Sequence, residues 1–168
     1  MNKILVLMTI TFFAALGYSQ SKSKADKDTQ NWRYEIEAVS TGAQGSYLIK
    51  VWSYSKKPVV AIEQAKKNAV HGIIFQGYTG RPGVSGQKAL ASNPNLEQEQ
   101  NEFFLNFFAE GGKYMKFVSL SNDGSVAAED RLKVGKEYKI GVVVSVNVAS
   151  LRSDLEAAGI IRGLSSGF

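Results

Sequence analysis

KEYKIGVVVSVNV, residues 136–148, is the stretch that decides the fold. Tyr138, Ile140, Val142, Val144, Val146 and Val148 recur at every second position, which lines one face of an extended chain with apolar side chains. Val143 puts an apolar group on the other face, as in a strand with neighbours on both sides. Just upstream, Asn122-Asp123-Gly124 reads as a turn and Lys113 to Leu120 as another strand. Downstream, Ser150 is placed to cap a helix that runs to about Ala158, buries Leu151 and Leu155 and stops at Gly159.

The first half of the chain supplies partners for this strand. Trp32, Tyr34, Ile36 and Ala38 alternate with Arg33, Glu35 and Glu37, and Tyr47 to Tyr54 carries apolar or aromatic groups on both faces. The turn residues from Thr41 to Gly45 join the two as a β-hairpin. Lys57-Pro58 then changes the period: proline suits a first helical turn, and Ile62, Ala65, Ala69 and Ile73 follow at helical spacing. A helix over 58–75 is expected, with Gly72 near its packed stripe and Glu63, Lys66 and Lys67 toward solvent. Gly77, Gly80, Pro82, Gly83 and Gly86 mark a Gly-rich loop over 76–93. Asn93-Pro94 opens a second helix carrying Leu96, Phe103, Phe104, Phe107 and Phe108, ended by Gly111-Gly112. Hairpins in place of regular βαβ units indicate an α+β fold, with a mainly antiparallel sheet of about four strands and helices packed on one side.

The ends and the composition set the compartment. Met1-Asn2-Lys3, the apolar run Ile4 to Leu16 and the small residues Gly17 and Ser19 read as a signal peptide over 1–19. Residues 20–31 read as a flexible polar leader, and 32–168 as a single domain. No later segment is apolar for long enough to span a membrane, so the expected location is periplasmic or extracellular, with outer-membrane association as a variant. The ending Leu164 to Phe168 resembles the aromatic C-terminus of outer-membrane barrels, without the series of barrel strands. The absence of cysteine excludes disulfides, thiolate metal sites, a cysteine nucleophile and a cysteine-borne lipid anchor.

Catalytic constellations are scarce. The Gly-rich loop lacks the Gly-Lys-Ser/Thr order of a phosphate-binding loop, because Gln87 separates Gly86 from Lys88. Glu97, Glu99 and Glu102 on one helix, and Glu129-Asp130, are not set opposite a second acid by any spacing, which makes a hydrolase the weakest alternative. His71, the single histidine, falls off the packed stripe of its helix and reads as a surface or boundary residue. No metal and no cofactor is expected. Charge is more telling: residues 50–88 hold Lys50, Lys56, Lys57, Lys66, Lys67, Arg81 and Lys88 against Glu63, whereas 89–130 is acidic. Lys56, Lys57, Lys66, Lys67, Arg81 and Lys88, with Phe104 and Phe108 if exposed, are therefore the candidate partner surface. Other envelope proteins are the expected partners, an anionic envelope polymer or lipid is the alternative, and nucleic acid is disfavoured by the lack of an aromatic-interleaved basic motif.

The block Leu48 to Tyr54 followed by Ala61, Ala65, Ala69 and Gly72, then Tyr138 to Val148 with Leu151 and Leu155, resembles the N-terminal domain of the flagellar-assembly protein T and related small envelope lipoproteins. That resemblance implies a non-catalytic envelope component that binds other proteins. The chain departs from it in lacking a lipid-bearing cysteine and in inserting the Gly-rich loop.

Overall fold

Val142, Val144 and Val146 are sealed beneath a long helix in the computed structural model, which describes residues 32–42 and 45–163. The signal-peptide and leader readings, residues Ala43 and Gln44 of the first turn and the Leu164 to Phe168 ending lie outside the described residues. In chain order, β1 (Tyr34–Thr41) and β2 (Ser46–Ser55) form an antiparallel hairpin, and α1 (Pro58–Phe75) follows. Two short helices, α2 (Leu96–Glu99) and α3 (Asn101–Phe107), lead to a tight 3-10 turn at Lys113–Phe117. Then come β3 (Val118–Leu120), β4 (Arg131–Val134), β5 (Glu137–Asn147) and α4 (Val148–Ala157).

The fold is α+β, with a five-stranded antiparallel sheet. β5 is central: β2 pairs along its whole length on one side, and β3 and β4 share its other edge. Between β3 and β4 the chain leaves that edge, setting Gly124 against Ile62 of α1 and Asp130 against Lys50 on the opposite face. Ile49 and Val51 of β2 join Ile140, Val142, Val144 and Val146 of β5 in a core closed by Ala61, Ala65, Ala69 and Ile73 of α1. Alanine at those positions lets the helix axis approach the sheet closely. Leu151 and Leu155 of α4 pack into the same core.

Several elements differ from the sequence reading, each for a local reason. Only Val118–Leu120 of the expected strand is extended, because Tyr114 and Phe117, three residues apart, both turn inward and a 3-10 turn puts such positions on one side. The second helix is broken at Gln100. The last helix is capped by Asn147, whose Oδ1 accepts from the Ser150 amide at 2.9 Å, rather than by Ser150. β4 has no counterpart in the sequence reading, because four exposed residues are too few for a period to declare itself. The Gly-rich loop is a ribbon, with Tyr78 paired to Gln87 and Arg81 to Val84. Its glycines serve close approach, since a Cβ at Gly80 would lie 2.5 Å from the Gly86 nitrogen. Arg81 Nη2 ties the ribbon to the sheet by donating to the Val39 carbonyl at 2.6 Å, at the bulge that interrupts β1.

Candidate functional site

The candidate partner residues do not form one patch. Lys56 and Lys57 are exposed before α1, whereas Arg81 and Lys88 are exposed beyond its other end, about 27 Å of helix away. Lys66 pairs with Glu63 at 2.9 Å on the same helix. Three residues leave the surface altogether. Lys67 is only 5% exposed because the 113–117 turn folds over α1, bringing its ammonium 5.7 Å from the centre of the Tyr114 ring. Phe104 and Phe108 are buried, packing respectively on Phe75 and on Trp32 and Tyr114. The phenylalanine stripe is therefore core and not partner surface.

His71 is the largest correction. It is 4% exposed and lies inside a polar cluster, not at the boundary. Gln64, Lys67, Asn68 and His71 recur along α1 at helical spacing as a second, polar stripe; the 96–117 segment covers Lys67 and His71, and β2 covers Asn68, which donates to the Ser53 hydroxyl at 2.8 Å. Trp32 stacks on the imidazole with ring centres 3.6 Å apart and donates its indole N–H to Glu97 Oε1 at 2.9 Å. Glu97 Oε2 lies 3.2 Å from His71 Nε2, and the Tyr34 hydroxyl 2.7 Å from His71 Nδ1. A carboxylate only accepts, so Nε2 carries the imidazole proton and Nδ1 accepts from Tyr34. Burial pulls the His71 pKa down to about 4, against the opposing pull of Glu97, and pushes the Tyr34 phenol well above its ordinary range. The imidazole is neutral and both of its nitrogens are engaged. Trp32 itself sits in the left-handed region at φ 42, held there by its ring contacts.

On the other face of the sheet Arg33 and Glu35 meet water, while Asp130 is buried against Lys50. Trp52 lies flat against Gly141, donating Nε1–H to Glu37 at 2.9 Å, with Lys50 and Lys139 ammoniums 5.5 and 5.1 Å from its ring centre. Glu35 accepts from the Tyr54 hydroxyl at 2.6 Å and from Lys139 at 2.8 Å. The Lys139 hydrogen bond holds the Glu35 carboxyl below its usual range, and the Lys139 ammonium is raised in return. Arg33 pairs with Glu137, and Lys50 with Asp130 at 2.7 Å. Glu35 and Lys139 thus reach across β2 from β1 to β5 over the aromatic floor, and Lys50 ties β2 to the turn before β4.

One recess opens on the helical side, about 220 Å³, between α1 and the start of the 113–117 turn. Glu63, Lys66, Glu110, Gly111, Tyr114 and Met115 line it. No group of three potential ligands for a metal occurs among the described residues, and no helix among them is long and apolar enough to cross a membrane. No family model, no curated protein and no solved structure matches the chain.

Proposed function

We propose that the chain is an exported, non-enzymatic component of the cell envelope that acts by binding other proteins. The observation that supports this reading is the recess beside Tyr114 and Met115. At about 220 Å³ it is below the usual size of a small-molecule site but ample for a partner's anchoring side chain, with the 40%-exposed Met115 as an adaptable rim. The groups best suited to proton transfer, His71, Tyr34 and Glu97, are engaged with one another under Trp32. Glu99 is taken up by Asn93 and Asp130 by Lys50, which speaks against the hydrolase alternative.

A photoreactive amino acid at Met115, introduced in producing cells, tests the reading. A discrete covalent adduct is expected that disappears when Glu110→Trp fills the recess and persists with a Trp at exposed Ser153 on α4. Failure to form any adduct, or an adduct indifferent to Glu110→Trp, overturns it.

A further inference from the structure

The end of the sheet at the β4–β5 turn combines unpaired cations with exposed apolar side chains. Lys133 and Ser55 both pair with Tyr138, from opposite sides of β5, so their Cα atoms are about 10 Å apart by strand spacing. Lys56 and Lys57 continue from Ser55, and Gly135-Lys136 closes the hairpin in a two-residue turn with Gly135 at φ 60. This register gathers Lys56, Lys57, Arg131, Lys133 and Lys136 at one end of the molecule, all exposed and none in an ion pair among the described residues. Of the nearby acids, Glu35 and Glu137 are held by Lys139 and Arg33 and Asp130 by Lys50, leaving exposed Glu129 against the five cations.

The same end carries Val59, Leu132 and Val134, exposed by 51%, 44% and 49%. They are three of the five large apolar side chains left exposed among the described residues. All four residues of β4 are exposed, alternating cation and apolar group along Arg131-Leu132-Lys133-Val134, so the strand contributes little to the core.

We propose that this end docks on an anionic lipid surface, with the cations meeting headgroups and Leu132 and Val134 entering the acyl boundary. A soluble polyanion would engage the cations and leave the apolar side chains without a role. β4 is an edge strand with Arg131 and Lys133 on the face of buried Ile140 and Leu132 and Val134 on the face of Lys139, so docking edge-on brings both sets to a bilayer. This inference stands apart from the recess and the protein partner read from it.

The chain has no cysteine, so a single one can carry a polarity-sensitive fluorophore. Val134→Cys reports on the docking end, and Leu105→Cys, exposed on α3, is the control. With the full chain and vesicles of phosphatidylglycerol and phosphatidylcholine, the expected result is a blue shift and protection from acrylamide at position 134 but not at 105. Because both reporters carry the same N-terminal segment, any partition driven by that segment alone would leave them alike. A basic residue near an anionic surface is worth about fivefold in binding, so Lys133→Gln with Lys136→Gln should weaken the response about 25-fold, and the Glu pair by more. Lys56→Gln with Lys57→Gln, off the β4–β5 hairpin, should do the same if the first pair perturbs folding. No response at 134, an equal response at 105, or the same blue shift with dextran sulfate would overturn the proposal.

Discussion

Trp32 and Trp52 each donate an indole N–H to a glutamate over 2.9 Å, Trp32 to Glu97 on the helix side of the sheet and Trp52 to Glu37 on the open side. Each ring also has a proton-binding side chain over it, the His71 imidazole in one case and the Lys139 ammonium in the other. The ordinary pKa values of 6.5 and 10.5 already set the imidazole toward neutral and the ammonium toward charged near pH 7, and the two surroundings widen that gap. Burial outweighs the attraction of Glu97 and keeps His71 neutral, whereas the hydrogen bond to Glu35 outweighs a slight desolvation and keeps Lys139 charged. The helix-side set should therefore act through packing and satisfied hydrogen bonds, and the open-side set through weak, screened ion pairs.

His71→Ala tests the stronger half of that contrast. Removing the ring strands the Tyr34 hydroxyl and the Glu97 carboxylate and leaves Trp32 without its stacking partner, so a loss of about 3 kcal/mol is expected in urea unfolding. A loss below about 1 kcal/mol would mean that the cluster is not sealed. Acid gives the next largest effect. The folded state lowers the His71 pKa from 6.5 to about 4, so the unfolded chain binds more protons between those values. The stabilisation is complete above pH 6.5 and falls away as pH drops toward 4, by up to about 3 kcal/mol. The difference between wild type and His71→Gln, followed by urea midpoints across that range, should shrink as the pH falls; a constant difference would refute the neutral imidazole.

Gly141→Ala probes the open side. A Cβ there would come within 2.9 Å of the Trp52 ring, so the indole must lift from the sheet, at a cost of about 1–2 kcal/mol and with a red-shifted tryptophan emission. Glu35→Gln should have the smallest effect, within about 0.5 kcal/mol at moderate salt, because the Glu35–Lys139 pair stands in water. Thermal unfolding at low and high salt measures it, and a loss above about 1.5 kcal/mol would erase the distinction between the two faces.

Legibility in the sequence followed length and period. The eleven residues of β5 and the eighteen of α1 announce themselves, because each repeats its pattern several times over. Arg131–Val134 alternates through barely two cycles, and Lys113–Phe117 imitates a strand by composition while Tyr114 and Phe117 obey a threefold spacing. His71 was misplaced for a different reason. One packed stripe of α1 is visible, but Lys67 and His71 of its second stripe are buried by a segment that starts some twenty residues further along, and no local period reports such a cover. Glu97 was visible as an acid in a helical segment; its two donors come from Trp32 and His71, which only the folded chain brings together. The docking end was likewise divided in sequence, since Lys56 and Lys133 become neighbours only through the register of β2 and β4 on β5.

That register also orders events in time. β2 sits between β1 and β5, and β5 belongs to the last part of the chain, with α1, the glycine ribbon and the aromatic segment all emerging in between. During synthesis from the N-terminus the hairpin of β1 and β2 can close early, but the apolar faces of β2 and α1 find no lasting cover until Asn147 has emerged. The sheet is completed only when β5 arrives, and a chain stopped short of β5 would keep an exposed, sticky half-core for a chaperone or protease to recognise.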